Sequence, residues 1–298
     1  MTDHTIGVDI SKSHLDAFRL EDGAAQRFEN SVAGFRALSK WLGKVPVARI
    51  VFEPTGPYHK AFEAALGQTI PLVKVNPLQA RRFAEAYGTR AKTDVVDAQM
   101  LARMGAALEL APQAPCSREA RLLRELHVAR AGLIKDRTRL RNRAQTQDIA
   151  VLKRQTKARL AQLDRQIAEL DAEIAALIEA REATARSRDI LCSMPGIGAV
   201  TAAAMLTLMP EIGTLERKQV ASLAGLAPIT RQSGQWQGKL FIGGGRKPLR
   251  DALYMPALVA MRRNPDLKAK YEALRAAGKP AKVAIVAFVG KTAPHAVF

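Results

Sequence analysis

Four carboxylates stand where a metal-dependent nuclease would need them: Asp9, Glu53, Asp94 and Asp97. Asp9 closes the apolar run Ile6-Gly7-Val8-Asp9-Ile10. Glu53 closes Arg49-Ile50-Val51-Phe52-Glu53, before Pro54-Thr55-Gly56-Pro57 stops the strand. Asp94 and Asp97 lie three residues apart in TDVVDAQMLARM, which reads as a helix start. Residues i and i+3 share a helix face, so both carboxylates can point the same way. Acids converging from two strand ends and one helix suit a hard divalent cation. Mg²⁺, with Mn²⁺ as the alternative, prefers oxygen ligands, and a two-metal site clamps the attacking and leaving oxygens of a phosphodiester. Each acid also has a plainer role open to it. Glu53 could cap the turn that follows, and Asp94, next to Thr93, could serve a helix N-terminus. Asp97, one turn further in, has less of that role, and a buried Asp9 without a partner would be costly.

The elements that must position these acids fall in residues 4–106, which alternate between strand and helix patterns. Residues 6–10, 15–20 and 25–29 read as a three-strand meander, with Asp22-Gly23 as a turn signal. Ser31 is placed to cap a helix through Leu42 that carries Phe35, Leu38 and Leu42 on one face. A strand over 48–53, a helix over 58–66 and a strand over 70–75 follow, the last ending at Asn76-Pro77. Two more helices complete the domain, the second capped by Thr93. Three meander strands followed by α-β-α-β-α is the order of an α/β RNase H-like (RuvC-like) fold, assigned here to residues 1–110. Fold order alone gives no function.

Beyond a proline-bearing linker at 107–117, residues 118–186 are highly charged and lack proline. About 17 Lys and Arg fall between Arg118 and Arg188 and outnumber the acids. Leu163, Ile167, Leu170, Ile174 and Leu177 step by 4, 3, 4 and 3, the spacing of a coiled-coil seam. This segment reads as a connector of two long helices, an antiparallel hairpin with a basic face. A charge run is often only a solvated surface, but the local excess favours nucleic acid. Residues 189–298 form a mainly α region. It opens with Met194-Pro195-Gly196-Ile197-Gly198, a turn like that of a helix-hairpin-helix element. Backbone amides near Gly196 and Gly198, at a helix N-terminus, could hold a DNA phosphate; a tight turn that merely needs glycine is the other reading. A short helix at 220–225, a loop-rich stretch, a helix over 251–263 and another from Asn264-Pro265 to Gly278 complete the region.

Composition narrows the class. At 298 residues and 48% hydrophobic content the chain can bury a real core in two domains, or two plus a connector. Its net charge of +18 suits a polyanion, and nucleic acid is the default partner. Two distant cysteines, Cys116 and Cys192, fit a reducing cytoplasm and exclude a disulfide framework or a cysteine-based zinc site. No signal peptide, no transmembrane run and no membrane partner are expected.

Taken in order, GVDISK with Asp9, FEPTG with Glu53, KTDVVDAQMLA with Asp94 and Asp97, then MPGIG, LAGLAP, RQSGQWQGK and GGGRKPLR resemble the DEDD-type transposases of insertion sequences (the IS one-hundred-ten family). The resemblance spans nearly the whole chain. It implies a RuvC-like domain joined through a coiled coil to a C-terminal transposase domain, and a Mg²⁺-dependent DNA recombinase. It also implies a serine nucleophile at the position of Ser233, in Arg231-Gln232-Ser233-Gly234, and a site composed of acids from one protomer and serine from another in a dimer or tetramer. Target and donor DNA would be selected by a structured guide RNA from the element. No histidine lies near Ser233 in sequence to act as a base, and a metal would relieve that difficulty. Arg231, Lys239, Arg246, Lys247 and Arg250 surround the serine and could bind flanking phosphates. Without the resemblance Ser233 would read as an ordinary Ser-Gly turn residue. The C-terminus departs from the family pattern: the last helix signal breaks at Gly290, and Thr292-Ala293-Pro294 does not resume it. Two other functions use the same basic surface: a structure-specific or junction-type nuclease that employs water, and a nucleic-acid-binding remnant that has lost its chemistry.

Overall fold

The computed structural model describes residues 3–54, 56–88, 93–114 and 117–287. The C-terminal stretch on which the expected break at Gly290 falls lies outside the described residues. The chain divides into two compact units at the 116/117 boundary.

The first unit is a mixed sheet of five strands in the order β3-β2-β1-β4-β5. β1 (His4–Ile10), β2 (His14–Arg19) and β3 (Ala25–Glu29) form the antiparallel meander. β4 (Val47–Phe52) then runs parallel to β1, and β5 (Leu72–Lys74) parallel to β4. β5 is shorter than the expected 70–75. The helices are α1 (Val32–Leu42), α2 (His59–Leu66), α3 (Pro77–Ala86) and α4 (Asp94–Ala107). Ser31 caps α1 by accepting from the Gly34 amide at 3.2 Å, as its sequence position predicts.

Alternation along β1 sorts the two faces. Ile6, Val8 and Ile10 enter a core with Phe35 and Leu38 of α1 and Phe62 and Leu66 of α2. Gly7 points the other way, at α4. A Cβ at Gly7 would collide with the Ala98 carbonyl and come within 2.5 Å of the Ala102 amide. The missing side chain is therefore what lets α4 lie directly on β1. Val51, Val73, Leu101 and Met104 fill the core on this second face.

The second unit is helical with short ladders: α5 (Arg118–Ala144), α6 (Ala150–Glu179), α7 (Glu182–Cys192), α8 (Ala199–Leu208), α9 (Arg217–Leu223), α10 (Lys247–Arg263) and α11 (Pro265–Ala276). α5 and α6 form a hairpin. Ile167 and Ile174 of the predicted seam are buried, and Leu163, Leu170 and Leu177 are half-buried. Ion pairs Arg130–Asp171 and Arg137–Asp164 tie the two helices together. Leu123, Ile174 and Ile178 pack with Ala203 and Leu206 of α8, so the base of the hairpin shares a core with the helices that follow it.

Four features of this unit differ from expectation. The hairpin ends at Glu179, and a separate α7 starts at Glu182, inside the segment read as connector. α9 starts at Arg217 because Glu216 and Gln219 form a capping box, a signal that starts the helix three residues before Val220. α10 starts at Lys247 rather than Asp251, because Pro248 is suited to a first helical turn. The stretch read as loop contains two two-stranded ladders: β6 (Pro228–Ile229) with β9 (Phe241–Ile242), and β7 (Gln232–Ser233) with β8 (Trp236–Gln237). Strands of two residues carry too little alternation to be read from sequence. Among the described residues, no helix is long and apolar enough to cross a membrane.

Candidate functional site

Asp9 lies on β1 next to Val8, which pairs with Phe52 of β4. Glu53 follows Phe52 directly, so the sheet carries the two acids forward side by side. On the other side Asp9 pairs with Asp16 of β2, and Asp16 pairs with Arg27 of β3. Side chains of directly paired residues share a face. Asp9, Asp16 and Arg27 therefore form a row across β1, β2 and β3 on the face that carries α4, and Glu53 stands just past the end of β4. α4 supplies the remaining two acids from its first turn, where Thr93 caps the helix by accepting from the Val96 amide at 3.3 Å. Carboxylates in a first turn also meet the positive end of the helix dipole.

The helix is pinned at both ends. Arg49 of β4 donates to the carbonyls of Gly105 at 3.0 Å and Leu110 at 2.9 Å, past the C-terminal end. At the other end Arg27 grips Asp16 with two hydrogen bonds, 2.9 and 3.0 Å, and reaches Asp94 at 3.2 Å. Asp16 is 7% exposed as a side chain, and Asp94 60%. The buried acid thus fixes the guanidinium, and the guanidinium holds the exposed acid of the helix. Asp16 and Arg27 were not among the residues singled out from sequence. Their signal was the strand register: once Ile10 is set against Leu15, Asp9 must oppose Asp16.

Charge crowding in the row is visible at Asp9. Burial pushes its carboxyl up to about 6 from an ordinary value of 3.8, and the negative charges of Asp97, Asp94, Asp16 and Glu53 push the same way, in that order. The charges of Glu53, Asp94 and Asp97 thus all reach Asp9. Among the described residues no three acids or imidazoles form a ready coordination shell, and Asp94 is engaged with Arg27. The donor set is nonetheless all oxygen, half-buried at Asp9 and mutually repulsive. These are the properties a hard divalent cation would satisfy.

Ser233 belongs to the second unit. It stands on the β7–β8 hairpin, exposed, opposite Trp236 and followed by Gly234, whose φ of +56° makes the turn. The five cations assigned to its surroundings differ in how they are engaged. Arg246 holds Glu211 through two hydrogen bonds of 2.7 and 2.8 Å and donates to the Leu208 carbonyl; this partner holds the Glu211 carboxyl below its usual range. Arg250 donates to the carbonyls of Gly225 at 3.1 Å and Gly244 at 3.0 Å. Lys247 pairs with Asp251 at 2.5 Å. Arg231 lies over the Phe241 ring at 4.7 Å, and Lys239 is exposed. Gly196 sits at φ +95°, and a Cβ there would come within 2.6 Å of the Pro256 carbonyl of α10. The Pro-Gly turn is thus seated on a helix backbone. Gly198 is the N-cap residue of α8.

Comparison with known proteins identifies the lineage. The family model DEDD_Tnp_IS110, described as Transposase, matches residues 6–154, and a second, described as Transposase IS116/IS110/IS902 family, matches residues 188–272. The Pilin gene-inverting protein of Moraxella bovis is 31% identical over 301 residues, covering 96% of this chain and 92% of that protein. Its counterpart in Moraxella lacunata gives the same identity and coverage. The Insertion element IS110 uncharacterized 43.6 kDa protein of Streptomyces coelicolor is 37% identical over 111 residues, 36% of this chain and 26% of that protein. With one match over the acid-bearing sheet, a second over the serine-bearing unit and a relative aligned nearly end to end, the chain belongs to the IS110 family of transposases, enzymes that recombine DNA.

Proposed function

We propose that this transposase cuts and rejoins DNA strands with Ser233 as nucleophile and with Mg²⁺ or Mn²⁺ held by Asp9, Glu53, Asp94 and Asp97. The observation that carries the metal assignment is the carboxylate row, in which Asp9 is raised by burial and by the charges of the other acids. When bound, a divalent cation would polarise the phosphodiester and stabilise charge on the attacking and leaving oxygens. Arg27 would keep Asp94 in place, and the buried Asp16 would keep Arg27 in place.

In the transfer step the Ser233 Oγ–phosphorus bond forms as the bond from phosphorus to the 3′-oxygen breaks. The serine hydroxyl gives up its proton and the departing 3′-oxygen takes one up. The product is a 5′-phosphoserine. Its phosphodiester energy is conserved, so a 3′-hydroxyl can reverse the step and rejoin a strand. Arg231 and Lys239 are exposed and suited to phosphates; Arg246, Lys247 and Arg250 also carry structural bonds. The acids and the serine would come from different protomers of a dimer or tetramer. A structured RNA would direct target and donor choice, as the family resemblance implies. The helical hairpin offers a cleft of about 400 Å³ lined by Arg139, Arg143 and Arg159 with Asp136, Gln162 and Gln166 as one surface for it. The Moraxella relatives, named as pilin gene-inverting proteins, make inversion of a DNA segment one form the reaction could take.

The test is a denaturing gel of protein with Mg²⁺, labelled donor and target DNA, and RNA transcribed from the flanking element. A DNA-linked protein band that disappears in both Ser233→Ala and Asp9→Ala is expected. Nicking that needs Asp9 but leaves no linked band would mean water is the nucleophile.

A further inference from the structure

The ladder region around Ser233 carries an aromatic surface that the transfer chemistry does not use. Trp236 is 60% exposed, Leu240 62% and Phe241 39%. None of them belongs to the core of the second unit, whose contribution from this stretch is Ile242. These large apolar side chains are left outside the packing and open to a partner.

The indole of Trp236 is held in place. Its residue pairs with Ser233 across the hairpin. Its ring lies over Gly238, where a Cβ would come within 2.5 Å of the indole Cη2. Gly238 is itself fixed by donating its amide to the Arg231 carbonyl at 2.9 Å. One part of the ring therefore rests on backbone while the rest meets solvent. Phe241 carries the Arg231 guanidinium over its ring at 4.7 Å. Along this stretch of sequence charge has one sign: no Asp or Glu occurs between Glu216 and Asp251, while Arg231 and Lys239 flank Trp236. A seated, half-open aromatic ring beside cations offers a π-face for a base and charge for its phosphates.

We propose that Trp236 and Phe241, with Arg231 and Lys239, form a stacking platform for an unpaired base of the DNA strand. Strand exchange must take bases out of one duplex before they enter another, so unpaired bases arise in the reaction of this family. The platform stands beside Ser233 but does not depend on Ser233 being the nucleophile.

The chain has two tryptophans, so Trp41→Phe leaves Trp236 as the sole indole reporter. This variant would be titrated at fixed low salt with single-stranded oligothymidylate and, separately, oligouridylate. Saturable quenching by oligothymidylate is expected. In an otherwise wild-type chain, Trp236→Ala should weaken oligothymidylate binding, read by anisotropy of a labelled strand, by about tenfold. Trp236→Phe should restore most of it, and circular dichroism should show both variants folded. Ser233→Ala should keep the affinity while losing any DNA-linked band, so the platform and the nucleophile fail separately. Absence of quenching by oligothymidylate, or unchanged affinity in Trp236→Ala, would overturn the platform; quenching by oligouridylate alone would overturn DNA as its occupant.

Discussion

Asp9 sits on a strand paired on both sides, beneath a helix pinned at both ends. Ser233 sits on a two-residue strand whose residues are all exposed. The acids are held by a sheet register, by Gly7 under α4 and by an Arg27 clamp anchored on a buried carboxylate. The serine is held by its short hairpin, closed by the Gly238–Arg231 hydrogen bond, and among the described residues it belongs to no hydrophobic cluster. Repulsive charges need rigid support, because nothing about them is self-assembling until a cation arrives. For Ser233 to act as the proposed nucleophile on a strand of DNA, reach would matter more than rigidity. The contrast assigns preorganisation to the first unit and adaptability to the second.

The contrast is broken most severely at Gly7. Gly7→Val would drive a side chain into the α4 backbone and should cost about 3 kcal/mol or more of stability, read by denaturant melting, with loss of cation binding. Gly234→Ala is the matching change in the hairpin. Nothing lies within 4 Å of the added Cβ, so only the left-handed backbone is strained, at about 1 kcal/mol locally. Its melting curve should stay near wild type. If the two glycines proved equally sensitive, the distinction between a rigid and an adaptable site would be lost.

Next in size is Asp9→Asn, which should lower strand transfer at least about a hundredfold while leaving the fold intact, measured under single-turnover conditions. The paired change Asp16→Asn with Arg27→Gln removes the clamp without altering the local net charge. It should weaken Mn²⁺ binding about tenfold, followed by the paramagnetic resonance of free Mn²⁺, if Asp94 needs to be held. Unchanged affinity would show that Arg27 does not position Asp94.

The smallest effect is in pH. The Asp9 carboxyl is raised to about 6 in the fold against 3.8 ordinarily. Between these values the folded chain binds more proton than the unfolded one, so Asp9 contributes stability at low pH that is lost as pH rises towards 6. In metal-free buffer, Asp9→Asn should flatten that part of the decline in melting temperature. An identical slope in wild type and variant would remove Asp9 as its source.

How much of this was legible in the sequence depended on length and register. The meander, the Ser31 and Thr93 caps and the strand before Glu53 were readable because each has several residues of alternation or a capping side chain. Asp16 was hidden because its role comes from a partner on another strand: its pairing with Asp9 follows from the β1–β2 register, not from its neighbours. Arg27 reads alone as a surface cation on an edge strand. The strands β6 to β9 were invisible for the opposite reason: each has two residues, too few to show alternation. α10 starts before Asp251 because Pro248, a residue common in loops, is also suited to a helix's first turn. Ser233 itself carried no physical signal beyond Ser-Gly; the family resemblance alone singled it out.

The most direct test of the preorganised carboxylate row is calorimetric titration of the full chain with Mn²⁺ at neutral pH, with Asp9→Asn alongside. Saturable binding in the wild type, weakened at least about tenfold in an Asp9→Asn variant whose circular dichroism shows it folded, is the predicted result. Equal binding in the two proteins, or none in either with DNA present, would contradict the assignment of these acids as the metal site.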